Sequence, residues 1–233
     1  MAIRPTFTHP WEVSPAEAVA IQRELRQRVR VEPLDRRPEV VAGVDVSVKG
    51  GRARAAVVLL SYPALNPFQA ATAECPVSFP YVPGLLAFRE GPVVLAAMEQ
   101  LDNRPDVAMF DAQGLAHPRR MGLATHLGVL LDMPAVGCAK SRLCGECVEP
   151  GEQKGCWEPL VDGDEVIGAV VRTRSRVRPV FVSIGHRVDL ETAVSLVLGC
   201  APRYRLPEPT RWAHRVAGGE PLPGGRRPAP VDP

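Results

Sequence analysis

The sequence predicts an α/β fold in which helices flank a mixed sheet made of an antiparallel meander and parallel strands. Two observations support this fold class. Three strand-like segments follow one another with short connections between residues 40 and 79, which is typical of an antiparallel meander. Helix-like and strand-like segments then alternate, which is typical of helices packed on the faces of a sheet. The chain has 233 residues, 45% hydrophobic and 23% charged, so one domain can bury a sizeable core.

The first predicted elements are a helix and three strands. Ser14 and Glu17 have the spacing of a capping box, with Pro15 in the first turn, so a helix is predicted in SPAEAVAIQRELRQRV. The first strand is VAGVDVSVKG, residues 41–50, and its alternation places Asp45 on the face opposite the valines. Taken alone, this stretch favours a solvated face. After a tight turn at KGGR, strands are predicted in ARAAVVLLSY and QAATAECPVSF.

The second half of the chain alternates between the two kinds of element. A proline-rich turn, PYVPG, precedes a predicted helix in GPVVLAAMEQL, and the next strand ends at Asp111. A helix in GLATHLGVLL is followed by strands in PAVGCAKS, EVIGAVVRTR and PVFVSIGH. Asp189 is the predicted cap of a helix in DLETAVSLVLGC, and the last helix begins in PEPTRWAHRVA. We expect one domain over residues 1–217 and a disordered tail rich in glycine and proline over 218–233.

Charge, hydropathy and cysteine spacing limit the function classes. The net charge of +2 neither demands nor excludes a polyanionic partner. The sequence shows no apolar leader and no stretch of about 20 apolar residues, so we expect a cytoplasmic protein that does not enter a membrane. Cys144, Cys147 and Cys156 lie close together, with Cys138 as the nearest fourth zinc ligand. Because no second close pair is present, reduced thiols are favoured over a zinc site.

Three acids occupy positions that can carry chemistry. Asp45 lies inside the first strand, Asp111 ends a buried strand, and Glu90 lies where the proline turn meets its helix. Ligands gather at the carboxyl ends of strands in open α/β sheets. Two adjacent carboxylates repel each other unless a cation lies between them, and magnesium prefers such oxygen ligands. Surface solvation explains each acid equally well, so the acids alone leave both interpretations open.

Six segments together resemble the endonuclease V family, which comprises deoxyinosine 3′-endonucleases with a ribonuclease H-like fold. They are VAGVDVS, PYVPGLLAFREGP, DAQGLAHPRRMGLATHLGVLLDMPAVGCAKSRL, GAVVRTR, PVFVSIGHRVDLETA and YRLPEPTRWAHR. The matching segments run from about residue 40 to 216, with variable sequence between them. The combination of these six segments is highly specific for this family.

The resemblance implies a metal-dependent site. It implies that Asp45, Asp111 and Glu90 bind magnesium, or manganese in its place, and that Lys140 and His214 complete the catalytic set. It also implies hydrolysis of the second phosphodiester bond 3′ to a deoxyinosine, leaving 3′-hydroxyl and 5′-phosphate ends. Relatives act as monomers, so a monomer is expected.

The resemblance further implies how damaged DNA is held. The wedge that separates bases is expected at Pro80, Tyr81, Val82 and Pro83, and further DNA contacts at Arg89, His117, Arg119 and Arg120. The pocket for hypoxanthine is expected to be lined by Gly84, Leu86, Ala112, Gly122, Leu123 and Leu143. Two positions depart from the family pattern, since Ala112 stands where glycine is common and Ile184 where proline is frequent. The added methyl of Ala112 is expected to narrow the pocket or to exclude a left-handed backbone.

A row of alternating arginines is a further candidate for phosphate contact. Such a row, on one face of a strand, is predicted from the spacing of Arg172, Arg174, Arg176 and Arg178, with a merely solvated strand as the alternative.

Two other functions remain open from the sequence. One is a ribonuclease that cuts inosine-containing RNA, because contact with a 2′-hydroxyl requires only one side chain. The other is a module that binds hypoxanthine without cutting, for which loss of one of the three acids would be expected. All three acids are present, so this reading ranks last.

Overall fold

The structure is a computed structural model that describes residues 2–222. Its strands are β1 (Val40–Lys49), β2 (Arg52–Ser61), β3 (Pro67–Pro76), β4 (Val107–Phe110), β5 (Ala135–Ala139), β6 (Trp157–Asp162), β7 (Glu165–Val171) and β8 (Val180–His186). Its helices are α1 (Pro15–Arg26), α2 (Leu86–Met98), α3 (Leu123–Leu131), α4 (Leu190–Gly199) and α5 (Glu208–Ala217).

One mixed sheet organises the described residues. Its strand order is β3-β2-β1-β4-β5-β8-β7-β6. The first three strands form the antiparallel meander, and β4 and β5 continue the sheet in parallel with β1. The last three strands pair antiparallel to one another and to β5. The predicted fold class, a mixed sheet with helices on its faces, is confirmed.

The predicted helix caps form as the sequence indicated. The Oγ of Ser14 accepts a hydrogen bond from the backbone N–H of Glu17 at 3.3 Å, and the Glu17 carboxylate accepts one from the Ser14 N–H at 2.8 Å. Asp189 accepts from the N–H of Thr192 at 2.7 Å. These bonds satisfy donors that the first turn of a helix leaves free.

Two elements differ from the sequence prediction. Strand β6 was not predicted, because WEPLVD contains proline and alternates weakly; a proline is tolerated there since β6 is an edge strand. Helix α2 begins five residues before the predicted segment and contains Pro92. Its first turn is stabilised by packing, because Leu85 and Phe88 are buried against Phe79.

The second face of β1 is covered at Gly43 and Asp45, so the expectation of a solvated face was wrong there, while Lys49 at the end of the strand is exposed. Helix α5 packs directly on the strand, and a Cβ built on Gly43 would lie 1.9 Å from the carbonyl oxygen of Pro209. Glycine therefore permits the close approach that places α5 over the following residues of β1. The Asp45 side chain retains only 12% exposure beneath this helix.

The predicted row of arginines does not form. Arg172 is buried and lies just after β7, where it donates to backbone carbonyls of Pro150, Gly151 and Val177 and to the Glu149 carboxylate. The other three arginines follow it in a turn rather than along a strand. A buried guanidinium needs such acceptors, so Arg172 stabilises the fold.

The ends of the chain and its helices complete the description. Of the predicted tail, residues 218–222 are described, and Leu222 packs against a cluster that contains Val216; residues 223–233 lie outside the described residues. No helix between residues 2 and 222 is long and apolar enough to cross a membrane.

Candidate metal centre and adjoining cavity

Two strands place the central carboxylates side by side. Strands β1 and β4 are parallel neighbours, and Val44 pairs with Phe110. The residue that follows each of these two is an aspartate, Asp45 within β1 and Asp111 just after β4. The N–H of Asp111 donates to the Val44 carbonyl at 3.0 Å. Both side chains are nearly buried, at 12% and 8% exposure. The sheet register therefore dictates that these two acids meet.

A histidine joins the two carboxylates. Nδ1 of His214 on α5 lies 2.7 Å from Oδ2 of Asp45. One ligand atom from each of Asp45, Asp111 and His214 lies within 4.8 Å of the others. Among residues 2–222 this is the one group of three or more acids, histidines or cysteines with such spacing. Glu90, although predicted as a ligand, is not part of this group.

Lys140 provides a positive charge on the other side of Asp111. It follows β5 directly, and its Nζ donates to Oδ2 of Asp111. The guanidinium of Arg205 donates to the backbone carbonyls of Lys140 at 2.7 Å and Pro179 at 2.8 Å, which fixes the chain at this point. Strand β5 pairs with β4, so the lysine is brought to the same edge as the acids.

The electrostatics show a surplus of negative charge at the group. Burial raises the pKa of Asp45, and the charge of Asp111 raises it further, against the effects of His214 and Lys140. The pKa of Glu90 rises to about 7, because the carboxyl group is buried, lies near Asp45 and Asp111, and is only partly offset by Arg89. Glu90 thus lies within electrostatic reach of both aspartates although it is outside the group of three.

The donor set fits a divalent cation. Two carboxylates and an imidazole offer oxygen and nitrogen ligands that magnesium and manganese accept. A bound cation would also compensate the repulsion that raises the pKa values of Asp45 and Glu90. Asp45 and Asp111 are the residues placed to hold it, with His214 and Glu90 beside them.

A cavity of about 410 Å³ opens next to this group. Asp45, Asp111 and Lys140 form part of its wall. All six residues predicted for the base pocket line it: Gly84, Leu86, Ala112, Gly122, Leu123 and Leu143. The volume falls in the usual range for small-ligand sites. The structure therefore brings the predicted pocket and the predicted metal residues together.

The predicted wedge forms the rim of the cavity. Tyr81 is 73% exposed, and Val82 and Pro83 line the opening beside it. Gly84 ends the loop with a φ of +79°, in the left-handed region that favours glycine. At the other end of the loop, Arg89 donates to the carbonyl of Phe79 at 3.0 Å. The loop is thus held at both ends while its tyrosine projects.

Three side chains converge on the carbonyl of Gly84. Nε2 of His117 lies 2.9 Å from this oxygen, Nη2 of Arg119 donates at 2.7 Å, and Nε2 of Gln22 donates at 3.0 Å. His117 is buried, and burial lowers its pKa to about 4, so the ring is neutral at pH 7. His117 and Arg119, both predicted DNA contacts, and Gln22, which was not predicted, therefore support the wedge loop from behind.

Arg120 does not line the cavity. Its buried side chain pairs with Asp162 at 2.9 Å and Glu165 at 2.7 Å, and donates to the His117 carbonyl at 2.9 Å. Its single positive charge is therefore compensated by two carboxylates within the protein. The position of Arg120 therefore does not support its predicted contact with DNA.

The departure at Ala112 is accommodated in the wall of the cavity. Ala112 is 6% exposed and its backbone is not in the left-handed region, so glycine is not needed for a special angle there. The methyl group adds apolar surface to the pocket. Ile184 lies within β8 opposite Val136 on β5 and is not among the residues that line the cavity.

Sequence reasoning missed several residues of the site. The cavity is also lined by Gln113, Met121, Ser141 and Arg142. Gln22 was missed as well, although it lies with Ala18 and Leu25 on the inward face of α1. A polar residue on an apolar helix face was the available signal, since buried amides need partners.

The cysteine loop has a packing role. All six cysteines have free thiols. Cys144 and Cys147 pack against a cluster that contains Leu160, Ile167 and Val170. The structure gives the zinc alternative no ligand set in this loop, since the one candidate metal group among the described residues lies elsewhere.

The fold and the site together define an α/β protein of the class that binds a divalent cation at the edge of its sheet, since paired carboxylates at adjacent parallel strands face a ligand-sized cavity. Comparison with known proteins narrows this class. The sequence profile of the endonuclease V family matches residues 23–215. Endonuclease V of Methanothrix thermoacetophila is 54% identical over 214 residues, covering 92% of this chain and 95% of the relative.

Solved structures agree with the sequence match. Endonuclease V of Streptomyces avermitilis superposes with a TM-score of 0.87 at 44% identity, covering 94% of this chain and 96% of the other. Ciona intestinalis endonuclease V, solved with a 23-mer DNA containing an inosine followed by a ribo-adenosine, gives a TM-score of 0.76 at 31% identity, covering 88% and 97% of the two chains. The chain therefore belongs to the endonuclease V family and is a nuclease.

Proposed function

We propose that this protein is a magnesium-dependent DNA repair endonuclease that hydrolyses the second phosphodiester bond 3′ to a deoxyinosine, leaving 3′-hydroxyl and 5′-phosphate ends. The observation that carries the proposal is the joint placement of Asp45, Asp111 and His214 beside a 410 Å³ cavity with Tyr81 at its rim. The inosine-containing DNA bound by the Ciona relative supports it.

The wedge and the cavity would act on the damaged nucleotide together. Extruding a base costs a few kcal/mol, least for a mispaired base, and stacking on an aromatic ring offsets part of that cost. Tyr81 is the exposed aromatic at the cavity rim, held by the anchored ends of its loop. Inosine in place of adenosine is mispaired, so the lesion itself lowers the cost.

The cavity would recognise hypoxanthine mainly by its shape and backbone groups. Gly84 and Gly122 bring the main chain close to the space that the base would occupy. Hypoxanthine presents both a donor and acceptors at its edge, so main-chain N–H and carbonyl groups can pair with it. The apolar wall formed by Leu86, Ala112 and Leu123 covers the remaining surface of the base.

Each residue of the metal group has a separate task in the proposal. Magnesium or manganese, held by Asp45 and Asp111, would activate water and stabilise the oxygen that leaves phosphorus. Lys140, at the edge of the same cavity, would neutralise charge on the phosphate. His214 would orient the Asp45 carboxylate through its 2.7 Å contact. Glu90, whose pKa is about 7, would hold or receive a proton of the attacking water.

We further propose that the enzyme acts as a monomer in the cytoplasm. The six free thiols fit a reducing compartment, which supports the second part of this proposal.

The experiment is incubation of a labelled duplex containing one inosine with the protein and magnesium. The expected product ends one nucleotide beyond the lesion on its 3′ side, and the undamaged duplex stays intact. Asp164→Asn, in an exposed turn with no role in the site, serves as a control that retains cutting. Absence of a product with folded protein, or a cut that does not require a divalent cation, would contradict the proposal.

Cleavage of inosine-containing RNA is a second candidate function. The ribo-adenosine that follows inosine in the DNA bound by the Ciona relative favours it. Parallel assays with single-stranded DNA and RNA of one sequence, each with one inosine, distinguish the two functions by the ratio of their cleavage rates. Magnesium-independent binding without any product would instead indicate a module that only recognises hypoxanthine.

A further inference from the structure

A second depression lies next to the wedge, on the side of helix α1. It has a volume of about 520 Å³ and is lined by Arg23, Arg26, Gln27, Pro118 and Arg119. We call it the α1 groove. Three of its five lining residues are arginines and none is acidic. Its wall belongs to neither the metal group nor the base cavity.

The α1 groove is joined to the wedge through Arg119. This guanidinium donates from Nη2 to the Gly84 carbonyl at 2.7 Å and from Nε to Oε1 of Gln22 at 2.6 Å. Two of its five N–H groups are thereby engaged, which leaves the others available. Gly84 directly follows the wedge and lines the base cavity, and Arg119 lines the α1 groove, so this hydrogen bond joins the wall of the groove to the wall of the cavity.

Helix α1 adds two cations in fixed positions. Gln22 is fully buried and also donates to the Met121 carbonyl at 3.1 Å, which sets the rotation of the helix. Arg26 lies one turn after Gln22, and Arg23 lies three residues before Arg26, so both project from the flank that borders the groove.

The positive charge in the groove is poorly compensated. Across residues 2–222, no carboxylate pairs with Arg23 or Arg119, and Arg26 has only a 3.7 Å contact with Glu165. Arg23 is close enough to lower the pKa of Arg119, in addition to the effect of burial. Holding like charges together without a counter-ion is typical of a site for an anion.

We propose that the α1 groove binds the phosphates of the damaged strand on the 5′ side of the lesion. This inference rests on the proposed function. If the scissile bond 3′ to the lesion lies at Asp45 and Asp111 and the base fills the cavity, the strand must continue past the cavity in the 5′ direction. The α1 groove, joined to the cavity wall by the hydrogen bond from Arg119 to Gly84, is a cationic surface next to that path. Guanidinium groups bind phosphate oxygens through paired donors, and such contacts give affinity without reading sequence.

The proposal is tested by measuring the affinity of the protein for a labelled duplex with one central inosine, using fluorescence anisotropy. A chelator in the solution prevents cutting, so the test depends on binding alone. Removing both cations by Arg23→Ala/Arg26→Ala is expected to weaken binding about tenfold and to reduce the salt dependence by about one unit per arginine. The matched control is Arg4→Ala/Arg37→Ala, which removes two exposed arginines far from the carboxyl ends of β1 and β4 and is expected to bind as the wild type does.

Shortened duplexes identify the strand. When the damaged strand ends two nucleotides 5′ of the inosine, wild type and Arg23→Ala/Arg26→Ala should bind equally. When the complementary strand is shortened instead, the tenfold difference should remain. Equal binding to the full duplex, an equal loss in the control, or a difference that persists without the 5′ flank would overturn the proposal.

A failure of this proposal can be distinguished from a failure of the proposed function. Wild type that cuts inosine duplexes but shows no effect of the two substitutions would refute the α1 groove alone. Wild type that fails to cut would refute the proposed function, whatever the anisotropy shows. The single variant Arg23→Ala, expected to lose about half of the salt effect, keeps the test valid if the double variant folds poorly.

Discussion

The acidic group at Asp45 and Asp111 and the buried guanidinium of Arg172 are alike in burial but differ in how their charge is compensated. Arg172, at 8% exposure, donates to one carboxylate and three backbone carbonyls. Asp45 and Asp111, at 12% and 8%, face each other, and Glu90 lies close enough to feel both. Each aspartate has one cationic neighbour, His214 or Lys140, and His214 is charged only when protonated.

The difference in charge compensation distinguishes a residue that stabilises the fold, Arg172, from residues that form a binding site, Asp45 and Asp111. Satisfied charge stabilises the surrounding loops, and its removal should affect folding. Like charges held together raise the free energy of the empty site, so a cation binds there with additional gain.

The largest expected effect is on cleavage. Asp45→Asn or Asp111→Asn should lower the rate of inosine-duplex cutting at least about a thousandfold, because several kcal/mol of charge stabilisation are lost. Asp45→Asn should leave the free energy of unfolding unchanged or raise it, since it relieves repulsion. Single-turnover assays and urea unfolding measure the two effects. A variant that cuts at the wild-type rate would remove the acids from the mechanism.

The reverse pattern is expected at Arg172. Arg172→Met should lower the free energy of unfolding by about 4 kcal/mol, because it leaves several carbonyl groups without a donor. The cleavage rate per folded molecule should not change. Arg176→Met is the matched control, since its 81% exposed side chain has only a 3.8 Å contact with Glu152. If urea titrations give both variants a similar free energy of unfolding, the hydrogen bonds and the ion pair of the buried Arg172 do not stabilise the fold.

Glu90 is expected to make the free energy of unfolding depend on pH when a chelator keeps the protein free of metal. The folded pKa of about 7 lies above the ordinary value of 4.5, so the protonated carboxyl is favoured in the fold. The contribution of the protonated Glu90 carboxyl to the free energy of unfolding is fully present below pH 4.5 and is lost as pH rises through about 7. Relative to Glu90→Gln, the wild type should therefore lose about 3 kcal/mol of unfolding free energy across this window. Unfolding titrations at pH 4.5 and 8 measure it, and an equal gap between the two proteins at both pH values would contradict it.

The smallest effect is expected at the partial counter-charge. Lys140→Met should tighten binding of calcium or manganese about fivefold, because it removes a competing positive charge from Asp111. Lys49→Met, farther along β1 and exposed, should leave this affinity unchanged. Calorimetric titration of each variant compares the two. Weaker metal binding after loss of Lys140 would mean that the lysine organises the site rather than competing with the cation.

The sequence predicted what repeats in a pattern or belongs to a motif. The alternation around Asp45, the apolar strand before Asp111 and the caps at Ser14 and Asp189 are local properties, and the structure has each element. The resemblance supplied positions that local patterns cannot supply, such as His214. It did not supply geometry.

The missed features depend on tertiary contacts. The covered face of β1 follows from the approach of α5 at Gly43, which alternation does not reveal. Arg172 and Arg120 are buried because distant carbonyls and acids surround them, so their spacing suggested a surface row or a phosphate contact instead. Gln22 joins α1 to Gly84 at the end of the wedge and to Met121, which lie 62 and 99 residues away in the chain.

The most direct measurement is anomalous X-ray scattering from crystals of the protein soaked in manganese. The prediction is one strong peak within bonding distance of carboxylate oxygens of both Asp45 and Asp111, next to the cavity rimmed by Tyr81, and its loss in Asp111→Asn. A map with no peak between the two aspartates, or with manganese bound only elsewhere, would contradict the assignment of these acids as the metal centre.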